Sequence, residues 1–241
     1  MRRFGIVLLT TLALLMLLPG AAWAWVDVKE ATQGAVLAAA QDGLKVYFVP
    51  GARATVSVPQ VVSAWSRLPE DIRDKLEGPV SVYLARDDGS LVVDSSVSAS
   101  VRLQVLGVCS GADTVVLYPG AGVQTFLHEL GHMLDHRYGR ATSREFLLAL
   151  VRDKPALSTE PGYVAAAVSY LSGFAPDAGG GDVQVFFSRV MKEEFADAFA
   201  LYAADRAGIV EALPSTWEEV RAKYAARFEY FDSLFSVGSN S

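Results

Sequence analysis

The run Thr125-Phe126-Leu127-His128-Glu129-Leu130-Gly131-His132-Met133-Leu134-Asp135-His136 holds all three histidines of the chain in its last nine residues. Its centre, His128-Glu129-Leu130-Gly131-His132, has the His-Glu-x-x-His pattern with which a helix grips a zinc ion. Helical residues four apart lie one above the other, so His128 and His132 can hold one ion from the same side. Glu129 then lies close to a metal-bound water and can take its proton. No charge and no proline occupy the x positions, and the flanks are apolar, so a buried helix can carry the motif. That helix is expected from about Val123 to Tyr138. Pro119-Gly120-Ala121-Gly122 leads into it, and Gly139 is a plausible stop.

Upstream the pattern is mixed. A short helix is expected at Ala31 to Ala40 and a strand from Leu44 to Val49. Val61, Val62, Trp65, Leu68, Ile72 and Leu76 fall at helical spacing in Pro59 to Leu76, with Pro69 able to split the element. The Trp65 stripe reads as core packing. Val80 to Ala85 reads as a strand, with Leu91 to Val93 able to pair with it across the Asp87-Asp88-Gly89 turn. Val101 to Val108 is a further strand with a possible bulge at Gly107, and Thr114 to Tyr118 another.

The first 24 residues read as a secretory signal: Arg2 and Arg3, an apolar core over Ile6 to Leu18, and Ala22-Trp23-Ala24 as the cleavage site. The apolar run is shorter than the ~20 residues needed to span a bilayer. Removing 24 of 241 residues leaves 217, with 19 basic against 27 acidic residues, a formal −8. This balance argues against nucleic acid and against an anionic membrane as partners of the mature form. Residues 25–241 are expected to form one domain, a sheet lobe over 25–121 and a helical lobe over 122–241 with a cleft between. Cys109 is the lone cysteine, so no internal disulfide can form, and its apolar neighbours suggest a buried, inert thiol. The sequence is silent on oligomeric state.

Downstream of the motif the pattern is helical. Thr142 or Ser143 can cap a helix to about Val151, and Tyr163 to Leu171 reads as another. Asp177 to Asp182, with its triple glycine, is a connector or a mobile lid. Ser188 to Ala204 is a helix, and Ser215-x-x-Glu218 is a capping box that opens the last one.

A catalytic zinc takes three protein ligands and keeps a position for water. His136 is poorly placed as the third, because a continuous helix puts it ~12 Å along the axis from His128. The better segment is Lys192-Glu193-Glu194-Phe195-Ala196-Asp197. Glu193 and Asp197 lie four apart on one face, so Glu193 can bind the ion while Asp197 accepts a hydrogen bond from a ligand histidine and fixes its tautomer. Glu194 is the rival, ~100° around the helix. Ala200 and Ala204 continue the face of Glu193 and permit a close approach to the motif helix.

Together, His-Glu-Leu-Gly-His-Met-Leu-Asp and Glu-Glu-Phe-Ala-Asp-Ala-Phe-Ala-Leu-Tyr resemble the catalytic domain of anthrax toxin lethal factor and its secreted relatives, the Pro-Pro endopeptidases. The resemblance covers about Thr114 to Phe235, specific in the two motifs and loose between them. It implies a zinc peptidase whose third ligand is Glu193, and it matches the family's aspartate after the second histidine to Asp135. One departure stands out. Where the family has a tyrosine that stabilises the transition state, this chain has Phe186, which leaves three readings: Tyr163, Tyr170 or Tyr202 serves from elsewhere, the stabilisation is different, or the protein no longer catalyses.

The expectation is thus an α+β, zincin-like chain, secreted or periplasmic, with Zn2+ held by His128, His132 and Glu193. Glu129 is the general base and Asp197 orients a histidine. An extended peptide or protein substrate would add to Thr114 to Tyr118 as the edge strand beside the cleft. Two alternatives are a catalytically inactive zinc-bearing or protein-binding domain and a zinc hydrolase of another amide, such as cell-wall peptide.

Overall fold

The computed structural model describes residues 28–53, 56–76, 78–86, 89–93, 101–159, 181–212 and 216–236. The signal segment, the helix expected at Tyr163 to Leu171 and the Asp177-to-Gly180 part of the glycine loop lie outside them.

The protein is α+β, with a five-stranded mixed sheet in the order Val36–Gln41, Leu44–Phe48, Val80–Leu84, Thr114–Leu117, Gly107–Ser110. A short helix α1 (Val28–Ala31) precedes β1 (Val36–Gln41) and β2 (Leu44–Phe48). Asp42 and Gly43 both have positive φ, 46° and 81°, as a two-residue hairpin turn of matching twist requires. The helix expected at Ala31 to Ala40 is therefore wrong over most of its length. Alanine is a good helix former, but helix propensity is a weak constraint, and antiparallel pairing with β2 overrides it.

Helices α2 (Val58–Arg67) and α3 (Glu70–Lys75) follow, divided at Pro69 as expected, and lead to β3 (Val80–Leu84), parallel to β2. Among the described residues, strands β4 (Gly89–Val93) and β5 (Val101–Val105) pair only with each other, so Leu91 to Val93 does not pair with β3. The strand expected over Val101 to Val108 ends at Val105, and β6 (Gly107–Ser110) begins after Leu106. β7 (Thr114–Leu117) sits between β3 and β6, parallel to the first and antiparallel to the second. Thr114 to Tyr118 is consequently an interior strand, and the edge beside the motif helix is β6.

Alternation aims Leu44, Val46, Val80, Val82, Leu84, Val115 and Leu117 into one core with α2 and α4 (Val123–Tyr138). Trp65 is buried there and donates its indole N–H to the Asp42 carbonyl at 3.1 Å. α4 ends where expected, with Gly139 left-handed at φ 60°. Ser143 caps α5 (Arg144–Asp153), and α6 runs from Gly181 to Ala207, longer at both ends than expected. The C-terminal pair, α7 (Trp217–Lys223) and α8 (Ala225–Ser236), breaks at Tyr224. Its cap is Thr216, accepting from the Glu219 N–H, rather than Ser215 with Glu218. The rings of Phe146, Phe195, Phe199, Tyr202, Phe228 and Phe231 bind α5, α6 and α8 into the same core.

α4 and α6 meet without a side chain between them at Gly131. A Cβ there would stand 2.8 Å from the Ala196 Cα and 3.2 Å from its carbonyl oxygen. In an open helix Gly→Ala stabilises by about 1 kcal/mol. Here the obstacle is backbone, and overpacking costs about 1–3 kcal/mol. With overpacking at the middle of that range, about 2 kcal/mol, less the helix gain of about 1, Gly131→Ala is expected to lower stability by about 1 kcal/mol net, about 2–4 °C in Tm. A thermal melt at or above wild type would contradict the close packing.

Candidate metal centre

His128, Glu129 and His132 project from α4, and Glu193 and Asp197 from α6. The close approach at Gly131 brings the two sets together. Glu193 Oε2 lies 3.3 Å from His128 Nε2, and Glu193 Oε1 lies 3.5 Å from His132 Nε2. The imidazoles stand edge to face, with centroids 4.7 Å apart. One donor atom from each of the three residues falls within 4.8 Å of the others. Around a tetrahedral zinc with bonds of ~2.0–2.1 Å, neighbouring ligand atoms are ~3.4 Å apart; each histidine has a Glu193 oxygen at about that distance, a different oxygen for each. Two imidazoles and one carboxylate also match the donor set of a catalytic zinc with an open position.

Asp197 meets His128 on the other side of its ring. The His128 Nδ1 lies 2.7 Å from Asp197 Oδ1. In neutral His128, with the Nδ1 proton donated to that carboxylate, the Nε2 lone pair would face the cluster. The carboxylate of Glu194 points elsewhere, held by Lys154 at 2.5 Å and Arg227 at 3.1 Å. His136 is exposed and stands outside the cluster; burial of its ring and nearby Lys192 lower its pKa.

Glu129 is 5% exposed. Burial raises its pKa above the usual carboxylate range, against the pull of His132 and His128, and the Cys109 backbone N–H donates to it. β6 crosses directly over it. A Cβ on Gly107 would lie 2.6 Å from Glu129 Oε1 and 2.9 Å from Thr125 Cγ2. Gly107 is thus a site residue that the sequence reading passed over as a possible bulge; an isolated glycine in a strand pattern is the signal for such a close approach. The Cys109 thiol, half-buried, contacts the Gly111 carbonyl at 3.3 Å, and burial pushes its pKa up to about 12, which fits an inert thiol.

Of the tyrosines that could replace Phe186, only Tyr202 lies among the described residues. It is buried, donates to Asp232 at 2.8 Å and accepts from Arg206 at 2.7 Å. Asp135, also buried, accepts the Ala141 N–H at 2.7 Å and so holds the turn after α4.

No protein-family model matches the chain, and neither a curated protein nor a solved structure matches it.

The metal-free cluster has its own proton balance. Burial works against a charged His128, but hydrogen bonds with Asp197 and Glu193 outweigh it and raise its pKa to about 10. Burial also opposes the Glu193 charge, and the two histidines overcome it, holding its pKa well below the carboxylate range. An entering cation must therefore displace a proton from His128. Zinc affinity is expected to rise with pH, about tenfold per unit and about 100-fold over two units from weakly acid to weakly basic buffer. Competition with a chromophoric chelator measures it, and an affinity flat with pH would contradict the proton displacement.

Proposed function

We propose that the chain is a secreted zinc-dependent endopeptidase of zincin-like architecture, acting on an extended stretch of peptide. The observation that carries the reading is the convergence of His128, His132 and Glu193 beside a buried carboxylate, Glu129. Zinc held by those three residues would lower the pKa of a bound water from ~15.7 toward ~7 and polarise a carbonyl. Glu129 accepts the proton of the attacking water and returns it to the leaving amine. Burial raises its pKa, the direction that suits a group asked to take a proton and give it back. The Cys109 N–H and the space left by Gly107 hold that carboxylate in place, while Asp197 fixes the tautomer of His128. The backbone of β6, at the sheet edge, offers an extended peptide a strand to pair with.

Export follows from the leader-like residues 1–24. No helix among the described residues is long and apolar enough to cross a membrane. A non-catalytic, zinc-bearing domain is the second reading. It draws on Tyr202, whose hydroxyl is engaged by Asp232 and Arg206 and so is a poor donor to a developing oxyanion.

Glu129→Gln separates the two. The variant is expected to fold and to hold zinc as wild type does, while cleavage of a peptide library falls by at least 100-fold, the scale of a lost general base. Cleavage at the wild-type rate would sink the mechanism, and a wild type that cleaves nothing while holding zinc favours the binding domain.

A further inference from the structure

Arg227 is an arginine with no exposure at all, set in α8 one helix away from the metal centre. Its Nε donates to Asp153 Oδ2 at 2.9 Å, its Nη1 to Glu194 Oε2 at 3.1 Å and its Nη2 to the Lys223 carbonyl at 3.4 Å. The guanidinium stacks 4.0 Å from the centre of the Tyr224 ring. Lys154 meets the other oxygen of Glu194, so two cations balance two carboxylates. Asp153 also accepts the N–H groups of Ala226 and Arg227, which anchors the start of α8 to the end of α5.

The carboxylate that Arg227 takes from α6 belongs to the residue next to Glu193. Successive helical side chains point ~100° apart, so fixing one fixes the direction of the other. A Glu194 left free would also be an unpaired carboxylate one residue from the ligand set. We propose that Arg227 is a positioning residue for the metal centre: by tying Glu194 to Asp153 it sets the rotation of α6 that turns Glu193 toward His128 and His132. This rests on the zinc reading above. Only a planar fork reaches Asp153, Glu194 and the Lys223 carbonyl while stacking on Tyr224; a lysine ammonium keeps the charge and loses the fork.

The test compares the full mature chain, wild type and Arg227→Lys, for zinc affinity by competition and for the visible absorption of the cobalt-loaded protein. Both are read well below the melting temperature of each variant. Arg227→Lys is expected to weaken zinc binding by about tenfold or more, the range seen when outer partners of metal ligands are lost, and to change the cobalt spectrum. Zinc affinity within twofold of wild type with an identical spectrum overturns the proposal and leaves the zinc reading standing. A wild type that binds neither metal overturns both. If Arg227→Lys does not fold, Glu194→Ala decides, because it removes the acceptor on α6 and leaves Arg227 on Asp153. The same weakening is expected there, and wild-type affinity overturns the proposal.

Discussion

The contact of Gly131 with the backbone of Ala196 governs the geometry of the site. Two helices carry His128, Glu129, His132, Glu193 and Asp197, and they pass this closely because Gly131 presents no side chain to the Ala196 backbone and the Phe199 ring. At that spacing a short carboxylate side chain from α6 reaches both imidazoles of α4. A methyl group at Gly131 would push the helices apart, and the 3.3 and 3.5 Å separations from Glu193 to the histidines would open beyond the span of one ion. The glycine inside the motif and the alanine inside Glu-Glu-Phe-Ala-Asp thus matter as much to the cluster as the polar side chains beside them. Gly107 does for β6 and Glu129 what Gly131 does for α6.

Charge is arranged around that contact in two separate sets. On the solvent side, His128 and His132 share Glu193, and Asp197 backs His128. On the buried side, Arg227 and Lys154 neutralise Glu194 and Asp153. Glu193 and Glu194 are chemically alike and adjacent in sequence, and their different surroundings come entirely from which face of α6 each occupies. A buried charge must be paired to be tolerated, so the second set also excludes Glu194 from the first.

Much of this was readable in the sequence where one local signal acts alone. The motif helix from Val123 to Gly139, the split at Pro69, the Ser143 cap and the facing of Glu193 with Asp197 all follow from spacing and end signals. The errors came where tertiary pairing decides. Val36 to Gln41 has an alanine-rich composition that suits a helix, yet Asp42-Gly43 turns it into a hairpin with β2. Thr114 to Leu117 is a strand, but its place inside the sheet depends on β6 returning antiparallel beside it, which no local pattern encodes. Thr216 displaced Ser215 as a cap because the two differ by one residue and share the same chemistry. Arg227 gave no signal at all, since a lone arginine in an aromatic helix looks like surface until its partners on α5 and α6 are known.

The measurement closest to the central claim is the metal content of the mature chain, residues 25–241, purified without a histidine tag and compared with Glu193→Ala. About one zinc per wild-type chain, lost in Glu193→Ala, is the result this account predicts. No zinc in wild type even after reloading, or equal zinc in both proteins, would contradict a centre built from His128, His132 and Glu193.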